Sequence, residues 1–358
     1  MEQESWPRGG AVPRNEAHGH AVPRGEPRRQ APDTAYAALD LGTNNCRLLI
    51  ARPTDSSFRI VDSFSRIIRL GEGISQTGRL SEPAIDRALS ALRVCRDKIV
   101  AKRAARTRLI ATEACRTAAN RDDFRDRVDR ELGIRLEVID RETEAMLAVT
   151  GCLPLLDPHA KGAILFDIGG GSSELVRLDR DPANPHGVPK ISGWISLPVG
   201  VVTLAERRGG VHVTPESYAG MIDEVAAMLA PFAQSHGGNL GGMHMLGTSG
   251  TVTTVAGIYL NLPRYDRRHV DGLWMNDADV TRTVQRLLAM SYEERVHNAC
   301  IGSERGDLVL AGCAILDAIR NAFPCPRLRV ADRGLREGML VQMMREDGMW
   351  NGARARGW

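Results

Sequence analysis

Two short stretches share one design, and together they constrain the fold of this chain more than any other feature. The first, AALDLGTNNCRLLI, runs from Ala37 to Ile50, and the second, AILFDIGGGSSELV, runs from Ala163 to Val176. In each stretch an apolar run ends in an aspartate, passes through a turn of small residues and resumes as a second apolar run. The pattern predicts a β-hairpin in each half of the chain. Its recurrence indicates an internal duplication.

The segments between the hairpins alternate between strand-like and helix-like patterns. RLSEPAIDRALSALRVCRDKIVAK predicts a helix, with Ser81 as its N-cap, Pro83 in its first turn and apolar residues at helical spacing. RETEAMLAVTG, YAGMIDEVAAMLAPFA and the end of RLRVADRGLREGMLVQMMRE predict further helices. Alternation of this kind indicates an α/β fold with mixed sheets. We place its two domains at residues 35–150 and 151–346.

The two ends of the chain differ in composition from the segments between them. Residues 1–34 contain a short imperfect repeat, AVPRNE and AVPRGE, and are rich in proline, arginine and glycine. A segment of this composition cannot bury enough apolar surface to offset the entropy lost on ordering. We therefore predict a disordered tail over residues 1–34 and a second tail over residues 347–358.

Charge and composition exclude several classes of protein. With a net charge of +3 over 358 residues, the chain lacks the strong basic balance of a dedicated nucleic-acid binder. No apolar run reaches the roughly 18 residues of a membrane-spanning helix. The 7 cysteines form no CxxC pair, which argues against a zinc site or a disulfide framework. We expect a cytoplasmic protein with reduced thiols and with neither a membrane nor a nucleic-acid partner.

The turns of the two hairpins have the chemistry of phosphate-binding loops. Glycines let backbone N–H groups approach an anion closely, and small hydroxyl and amide side chains add donors. Asp40 and Asp167, at the strand ends, would repel a phosphate unless a cation such as Mg²⁺ lay between them. A third loop, GTSGT at 247–251, has similar chemistry. One such loop is a weak signal, but three of them indicate a phosphate site.

These loops resemble the phosphate-1, phosphate-2 and adenosine loops of the actin and hexokinase superfamily. More narrowly, the chain resembles the exopolyphosphatase and guanosine pentaphosphate phosphatase family through RLGEGISQTGRLSE, ATEACR, TEAMLAVTG, GTSGTVTTVAGI and ADRGLREGML. The resemblance spans roughly residues 35–346. It implies two actin-like, ribonuclease H-like α/β domains with a cleft between them. It also implies Mg²⁺-assisted hydrolysis of a terminal phosphoanhydride, in inorganic polyphosphate or in pppGpp, by a homodimer.

The resemblance also implies roles for individual residues. The family's catalytic base lies in a GNEEA-like motif, which matches RETEA at 141–145 and falls on Glu144. Arg141 and Thr143 depart from that motif, so the dependence on a divalent cation and the preferred substrate stay open. The residues that the resemblance assigns to metal binding or to orienting the attacking water are Asp40, Asp167 and Glu174.

Further residues are implied in phosphate binding. Arg116, in ATEACR, has a planar guanidinium that suits a phosphoryl group. Cys46 stands where the family commonly has serine, and its thiol is a poorer donor. The loop residues assigned to phosphate binding are Thr43, Asn44, Asn45, Arg47, Gly169, Gly170, Gly171, Ser172, Gly247, Thr248, Ser249 and Gly250.

Other interpretations of these residues stay open. Glu144 could be a solvated helix residue, and Arg116 could pair with Glu113, which we expect to be a surface or structural residue. RYDRRHVDG, residues 264–272, is either a basic patch for downstream phosphates or a solvated loop. The rival functions are a kinase or ATPase of the same superfamily and a non-catalytic sensor of polyphosphate or pppGpp. Longer family members append a helical HD-type domain that this sequence lacks, so we expect a preference for short polyphosphate chains.

Overall fold

The described part of the chain forms two mixed β-sheets covered by helices. The computed structural model describes residues 34–184 and 187–350. The predicted α/β class is confirmed. Residues 1–33 of the predicted tail at the start of the chain, and residues 351–358 of the predicted tail at its end, lie outside the described residues. None of the helices in the described ranges has both the length and the apolarity needed to cross a membrane.

The first sheet contains the first hairpin. Its strands are β1 (Ala35–Leu41), β2 (Asn45–Pro53), β3 (Phe58–Ile67), β4 (Ala104–Ala111) and β5 (Glu137–Val138). They lie in the order β3-β2-β1-β4-β5, with β1 antiparallel to β2 and parallel to β4. The helices of this half are α1 (Ile74–Thr77), α2 (Glu82–Ala101), α3 (Glu113–Thr117), α4 (Arg121–Leu132) and α5 (Arg141–Cys152), and a 3₁₀ turn follows at Leu153–Leu155.

The second sheet contains the second hairpin. Its strands are β6 (Gly162–Ile168), β7 (Ser173–Asp179), β8 (Lys190–Leu197), β9 (Met243–Thr248), β10 (Trp274–Asn276) and β11 (Arg327–Ala331). They lie in the order β10-β11-β9-β6-β7-β8. The helices of this half are α6 (Val201–Arg208), α7 (Pro215–His236), α8 (Ser249–Tyr259), α9 (Arg267–Val270), α10 (Asp277–Ala289), α11 (Tyr292–His297), α12 (Val309–Ala322) and α13 (Leu335–Glu346).

The two sheets share one strand order, which supports the duplication that the sequence indicates. The order β3-β2-β1-β4-β5 in the first sheet corresponds to β8-β7-β6-β9-β11 in the second. In the first sheet β1, β2 and β3 pair antiparallel, and β1, β4 and β5 pair parallel. In the second sheet β6, β7 and β8 pair antiparallel and β6, β9 and β11 pair parallel, with β10 added antiparallel at the edge. Each hairpin turn therefore lies at the carboxyl end of its parallel strands, the edge at which open α/β sheets bind ligands.

Helix α2 forms as its sequence predicts. Ser81 is the N-cap and accepts a hydrogen bond from the Ala84 N–H at 3.4 Å, a contact worth about 1 kcal/mol. Its buried apolar face, which packs on the first sheet, includes Ile85, Leu89 and Leu92. Beneath this face the sulfurs of Cys46 and Cys95 lie 3.8 Å apart. The Cys46 thiol therefore points into the core and is not a phosphate donor.

The closing helix returns to the first sheet. Although α13 follows the second sheet in the chain, its apolar side chains pack against β1, β2 and α5. Beyond it, Asp347 accepts a hydrogen bond from the Tyr36 hydroxyl at 2.7 Å. The buried Trp350 ring donates to the Thr54 carbonyl at 2.8 Å. Residues 335–350 thus complete the first domain, which corrects both the predicted domain boundary and the predicted start of the second tail.

Two contacts join the domains beside the first hairpin turn. The Arg69 guanidinium donates to both carboxylate oxygens of Asp307, at 2.8 and 3.0 Å, and to the Glu304 carbonyl at 3.1 Å. Glu206, on α6, accepts a hydrogen bond from the Gly73 N–H at 2.8 Å. We term these contacts the latch, because each links the segment after β3 to the second domain.

Candidate active site

The two hairpin turns and the third loop meet in a cleft between the domains. The sheet topology explains this meeting, because both hairpins end at the edges of the sheets that face each other. The sequence-assigned residues that line the cleft are Asp40, Thr43, Asn44, Asn45, Arg47, Glu144, Asp167, Gly169, Gly170, Gly171, Ser172, Glu174, Thr248, Ser249 and Gly250.

The hairpin register determines which charged side chains lie side by side. Asp40 is paired with Arg47 in the first hairpin, and Asp167 is paired with Glu174 in the second. Residues directly opposite each other in an antiparallel pair point to the same face of the sheet. Glu174 therefore returns to the cleft beside Asp167, as the hairpin pattern predicted. The first wall of the cleft has an acid with a cation, and the second wall has two acids.

The first and second loops touch across the cleft, and this approach requires glycine. A Cβ on Gly170 would lie 3.0 Å from Thr43 Cβ and 3.1 Å from Asn44 N. A Cβ on Gly171 would lie 2.8 Å from Thr43 Oγ1. Any larger residue would push the phosphate loops apart, so the glycines set the width of the cleft.

The third loop leads from β9 into the first turn of α8. Ser249 has φ of 79°, a left-handed conformation uncommon for a residue with a Cβ, and its hydroxyl donates to the Ile168 carbonyl in the second loop. Thr248 occupies the N-cap position without a side-chain cap, so N–H groups of the first turn can meet an anion. Gly247 lies within β9, where a Cβ would come 2.4 Å from the Phe166 ring. The structure therefore places Gly247 in packing and not in the cleft lining.

Burial disfavours the charged form of four of the carboxylates that line the cleft. Desolvation raises the pKa of Asp167 to about 6, and nearby Asp40 adds to the rise. Desolvation, followed by the charge of Asp167, raises the pKa of Glu174 to about 7. Burial also raises the pKa of Asp40, with Arg47 acting against it. Burial and then Glu174 raise the pKa of Glu144 well above its usual range. A cation in the cleft would relieve this crowding.

Glu144 is held by an arginine and is not solvated. Its side chain is 14% exposed and accepts a hydrogen bond from Arg116 Nη1 at 2.8 Å. Arg116 also donates through Nε and Nη2 to Glu113 Oε2, at 3.0 and 2.6 Å. Glu113 is buried and lines the cleft, so of the two expected alternatives it is the structural residue and not the surface residue. Because its donors are occupied by two carboxylates, Arg116 orients Glu144 and is not placed for direct phosphate contact.

Three guanidinium groups face the cleft with no hydrogen-bonded partner among the described residues: those of Arg47, Arg305 and Arg336. Burial lowers the pKa of Arg305 and of Arg336, and the neighbouring charge of Arg47 adds to both decreases. Unpaired cations at such a site are costly, and a phosphate would relieve that cost. Of the three, only Arg47 is among the residues that the sequence analysis assigned to phosphate binding.

The segment 264–272 supports one wall of the cleft. The Tyr265 hydroxyl donates to Asp332 at 2.6 Å, and Arg267 Nη2 donates to Glu337 at 2.9 Å. Both acceptors belong to ADRGLREG and line the cleft. The segment therefore acts as a support for that motif, a role different from the two interpretations that its sequence left open.

The oxygen donors of the cleft suit a hard divalent cation. The Oδ1 atoms of Asn44 and Asn45 are buried and accept no hydrogen bond from the part of the chain that the structure describes. The carboxylates of Asp40 and Asp167 face the same space. Oxygen ligands of this kind are those that Mg²⁺ prefers. Within the described residues no three His, Cys, Asp or Glu side chains form a ready cage for an ion. Mg²⁺ would therefore take one or two carboxylates and complete its shell with water and phosphate oxygens.

Two sheets of one strand order, with phosphate-type loops facing each other across a cleft, define a class: two-domain α/β proteins of the actin-like type. Comparison with known proteins identifies the family within that class. The Ppx/GppA phosphatase family matches residues 49–347. The chain belongs to this family, and the resemblance carried by its motifs is confirmed.

Individual relatives agree with the family assignment. Guanosine-5'-triphosphate,3'-diphosphate pyrophosphatase of Photobacterium profundum is 29% identical over 318 residues, which are 86% of this chain and 59% of that protein. The chain thus spans less than two thirds of that relative. Exopolyphosphatase 2 of Mycobacterium tuberculosis is 28% identical over 326 residues, 87% of this chain and 98% of that protein. A crystal structure of the Aquifex aeolicus member of the Ppx/GppA family is 28% identical, with a TM-score of 0.71, and the match covers 88% of this chain and 98% of that one.

Proposed function

We propose that this chain hydrolyses a terminal phosphoanhydride bond, with Glu144 as the general base. The observation that carries the proposal is the composition of one cleft. The guanidinium groups of Arg47, Arg305 and Arg336, which have no hydrogen-bonded partner within the described ranges, share it with the carboxylate of Glu144. A bound polyphosphoryl group would satisfy the three cations. Glu144, which lines the same cleft, would then act on water at the terminal phosphorus.

The proposed chemistry assigns a task to each charged group. Hydrolysis needs water to attack phosphorus in line, a base to take the proton of that water, and positive charge on the phosphoryl oxygens. Glu144, oriented by Arg116, would accept the proton. The guanidinium groups and the loop N–H groups would stabilise the phosphoryl oxygens. Asp40, Asp167 and Glu174 would hold Mg²⁺, which when bound offsets further negative charge.

Inorganic polyphosphate is our first candidate substrate and pppGpp the second. The names of the relatives include both an exopolyphosphatase and a guanosine-5'-triphosphate,3'-diphosphate pyrophosphatase. Polyphosphate requires repeated cationic contacts, which Arg47, Arg305 and Arg336 can supply. A guanine would require its own pocket, and the sequence contains no guanine-reading motif.

The test is phosphate release from short-chain polyphosphate, long-chain polyphosphate, pppGpp and ATP, measured with Mg²⁺ and with EDTA. We expect Mg²⁺-dependent release from polyphosphate or pppGpp by the wild type. In Glu144→Gln we expect kcat to fall by about 10²–10⁴, the usual contribution of a general base. Glu142→Gln is the matched control, because Glu142 is exposed on the same turn of α5, and it should retain wild-type kcat.

Other results would point to the rival functions. Tight binding without release from any substrate would contradict the proposal and favour a non-catalytic sensor. ADP formed from ATP, with no release from polyphosphate, would favour a kinase or ATPase. Full activity in Glu144→Gln together with loss in Glu142→Gln would move the base to Glu142.

A further inference from the structure

Glu113 is a buried carboxylate with two arginine partners. Its side chain is 8% exposed. Oε2 accepts hydrogen bonds from Arg116 Nε and Nη2, at 3.0 and 2.6 Å, and from Arg141 Nε at 3.3 Å. Among the described residues, the one donor to Oε1 is Arg141 Nη2, at 2.7 Å. One of its two oxygens therefore depends on Arg141.

Arg116 divides its donors between two carboxylates. Nη1 donates to Glu144 Oε2 and to the Ile139 carbonyl, each at 2.8 Å, while Nε and Nη2 donate to Glu113. The guanidinium is a rigid plane, so it cannot turn further toward one acid without leaving the other. Glu113 and Glu144 thus compete for Arg116.

Arg141 resolves this competition in charge as well as in geometry. When both acids are ionised, the two negative charges of Glu113 and Glu144 are balanced by the two positive charges of Arg116 and Arg141, so the group of four is neutral. Without Arg141, two buried acids would share one guanidinium. A desolvated carboxylate left without its partner is strongly disfavoured. Glu113, the more buried of the two acids, would then draw the plane of Arg116 toward its free oxygen.

We propose that Arg141 is a positioning residue for the reaction, acting through Glu113 and Arg116 to keep Glu144 aimed into the cleft. The inference rests on the proposed role of Glu144 as the base. Arg141 is the first residue of α5 and its side chain is 39% exposed. It does not itself line the cleft, so its effect on the reaction is indirect.

The kinetic test uses substitutions at Arg141 and at its partner. For the proposed substrates we expect Arg141→Gln to lower kcat about tenfold with little change in KM, the pattern of a lost transition-state contribution. Arg141→Lys should recover part of the loss. Arg141→Gln combined with Glu113→Gln should recover more, because removal of the competing acid returns Arg116 to Glu144. Arg125→Gln, at an exposed arginine paired with Asp122 on α4, should behave as the wild type.

The decisive measurement is whether Glu113→Gln restores kcat in the Arg141→Gln background. If Arg141 had only a structural role, the double variant would lose at least as much kcat as the two single variants added together. Wild-type kcat in Arg141→Gln, or a double variant no better than Arg141→Gln, would overturn the inference. A crystal structure of Arg141→Gln separates this outcome from failure of the proposed function. We expect Arg116 Nη1 to leave Glu144 for Glu113. A retained contact between Nη1 and Glu144 would overturn the inference whatever substrate the protein takes.

Discussion

The duplicated hairpins differ at one equivalent position, and that difference makes the cleft asymmetric. Arg47 lies opposite Asp40 in the first hairpin, whereas Glu174 lies opposite Asp167 in the second. The first wall therefore offers a guanidinium to an anion. The second wall offers two carboxylates to a cation. Hydrolysis of a phosphoanhydride needs both kinds of group within one enclosed space.

At the residue scale, Arg305→Gln tests the cationic side of the cleft. A Cβ on Gly250 would lie 3.7 Å from Arg305 Nη1, so the guanidinium lies beside the third loop. A hydrogen bond to a charged group contributes about 1.5–3 kcal/mol, so we expect KM for the phosphorylated substrate to rise by roughly tenfold or more. Phosphate release over a range of substrate concentrations measures this change. An unchanged KM, with Arg125→Gln as control, would remove Arg305 from the phosphate site.

At the scale of elements, the segment after β3 connects the first phosphate loop to the second domain. The Asn44 carbonyl accepts a hydrogen bond from the Arg69 N–H at 3.1 Å, and the Thr43 carbonyl accepts one from the Gly71 N–H at 2.9 Å. The side chain of Arg69 donates to Asp307. Asp307 lies two residues after Arg305, whose guanidinium faces the cleft. Arg69 has φ of 43°, so these contacts hold it in a left-handed conformation that side chains disfavour. Loss of the latch contacts should therefore loosen both the first phosphate loop and the segment of the second domain around Asp307.

Arg69→Ala tests whether the latch keeps the domains together. We expect faster hydrogen–deuterium exchange in residues 68–75 and 302–308, because the variant loses the bidentate pair with Asp307. Mass spectrometry of the exchanged peptides gives the measurement. Arg96→Ala is the control, since within the described residues Arg96 pairs only with its exposed neighbour Asp97. Equal exchange in the wild type and in Arg69→Ala would show that the latch does not restrain the domains.

At the scale of the whole molecule, the crowded acids of the cleft reduce stability at neutral pH. An unfolded glutamate has a pKa near 4.3, whereas burial raises the pKa of Glu174 to about 7 in the folded chain. Between these values the folded chain binds more protons than the unfolded chain. The free energy of unfolding contributed by this group therefore falls as pH rises, and the loss is complete above about pH 7.

Glu174→Gln should raise the stability of the protein at pH 8 and leave it nearly unchanged at pH 5. We expect Tm to rise by a few degrees at pH 8, at roughly 2–4 °C for each kcal/mol. Scanning calorimetry in EDTA makes the comparison. Mg²⁺ should reduce the Tm difference between Glu174→Gln and the wild type at pH 8, because a bound cation stabilises the charged carboxylate, which only the wild type has at this position. Glu293→Gln, at an exposed glutamate, is the control. If Glu174→Gln changed Tm equally at pH 5 and pH 8, the raised pKa of Glu174 would not be the cause of the change in stability.

Several features followed from local sequence because they depend on neighbouring residues. The cap at Ser81 and the helix after it follow from short-range chemistry. The return of Glu174 to the cleft beside Asp167 follows from hairpin geometry, in which opposite residues share a face. By contrast, Gly247 belongs to the recognised GTSGT motif but packs against a phenylalanine. A motif predicts which loop reaches the cleft, and tertiary packing decides which of its residues face it.

The sequence by itself determined the α/β class, the two hairpins and 15 of the 31 residues that line the cleft. Only the tertiary structure decided the pairing of charges: Arg116 between Glu113 and Glu144, Arg69 with Asp307, and the unpaired Arg305 among the phosphate loops. It also decided that the closing helix returns to the first sheet. The physical reason is the distance along the chain over which each effect acts. Periodicity and turn chemistry act over a few residues, whereas a buried charge is satisfied by whichever partner the fold brings beside it.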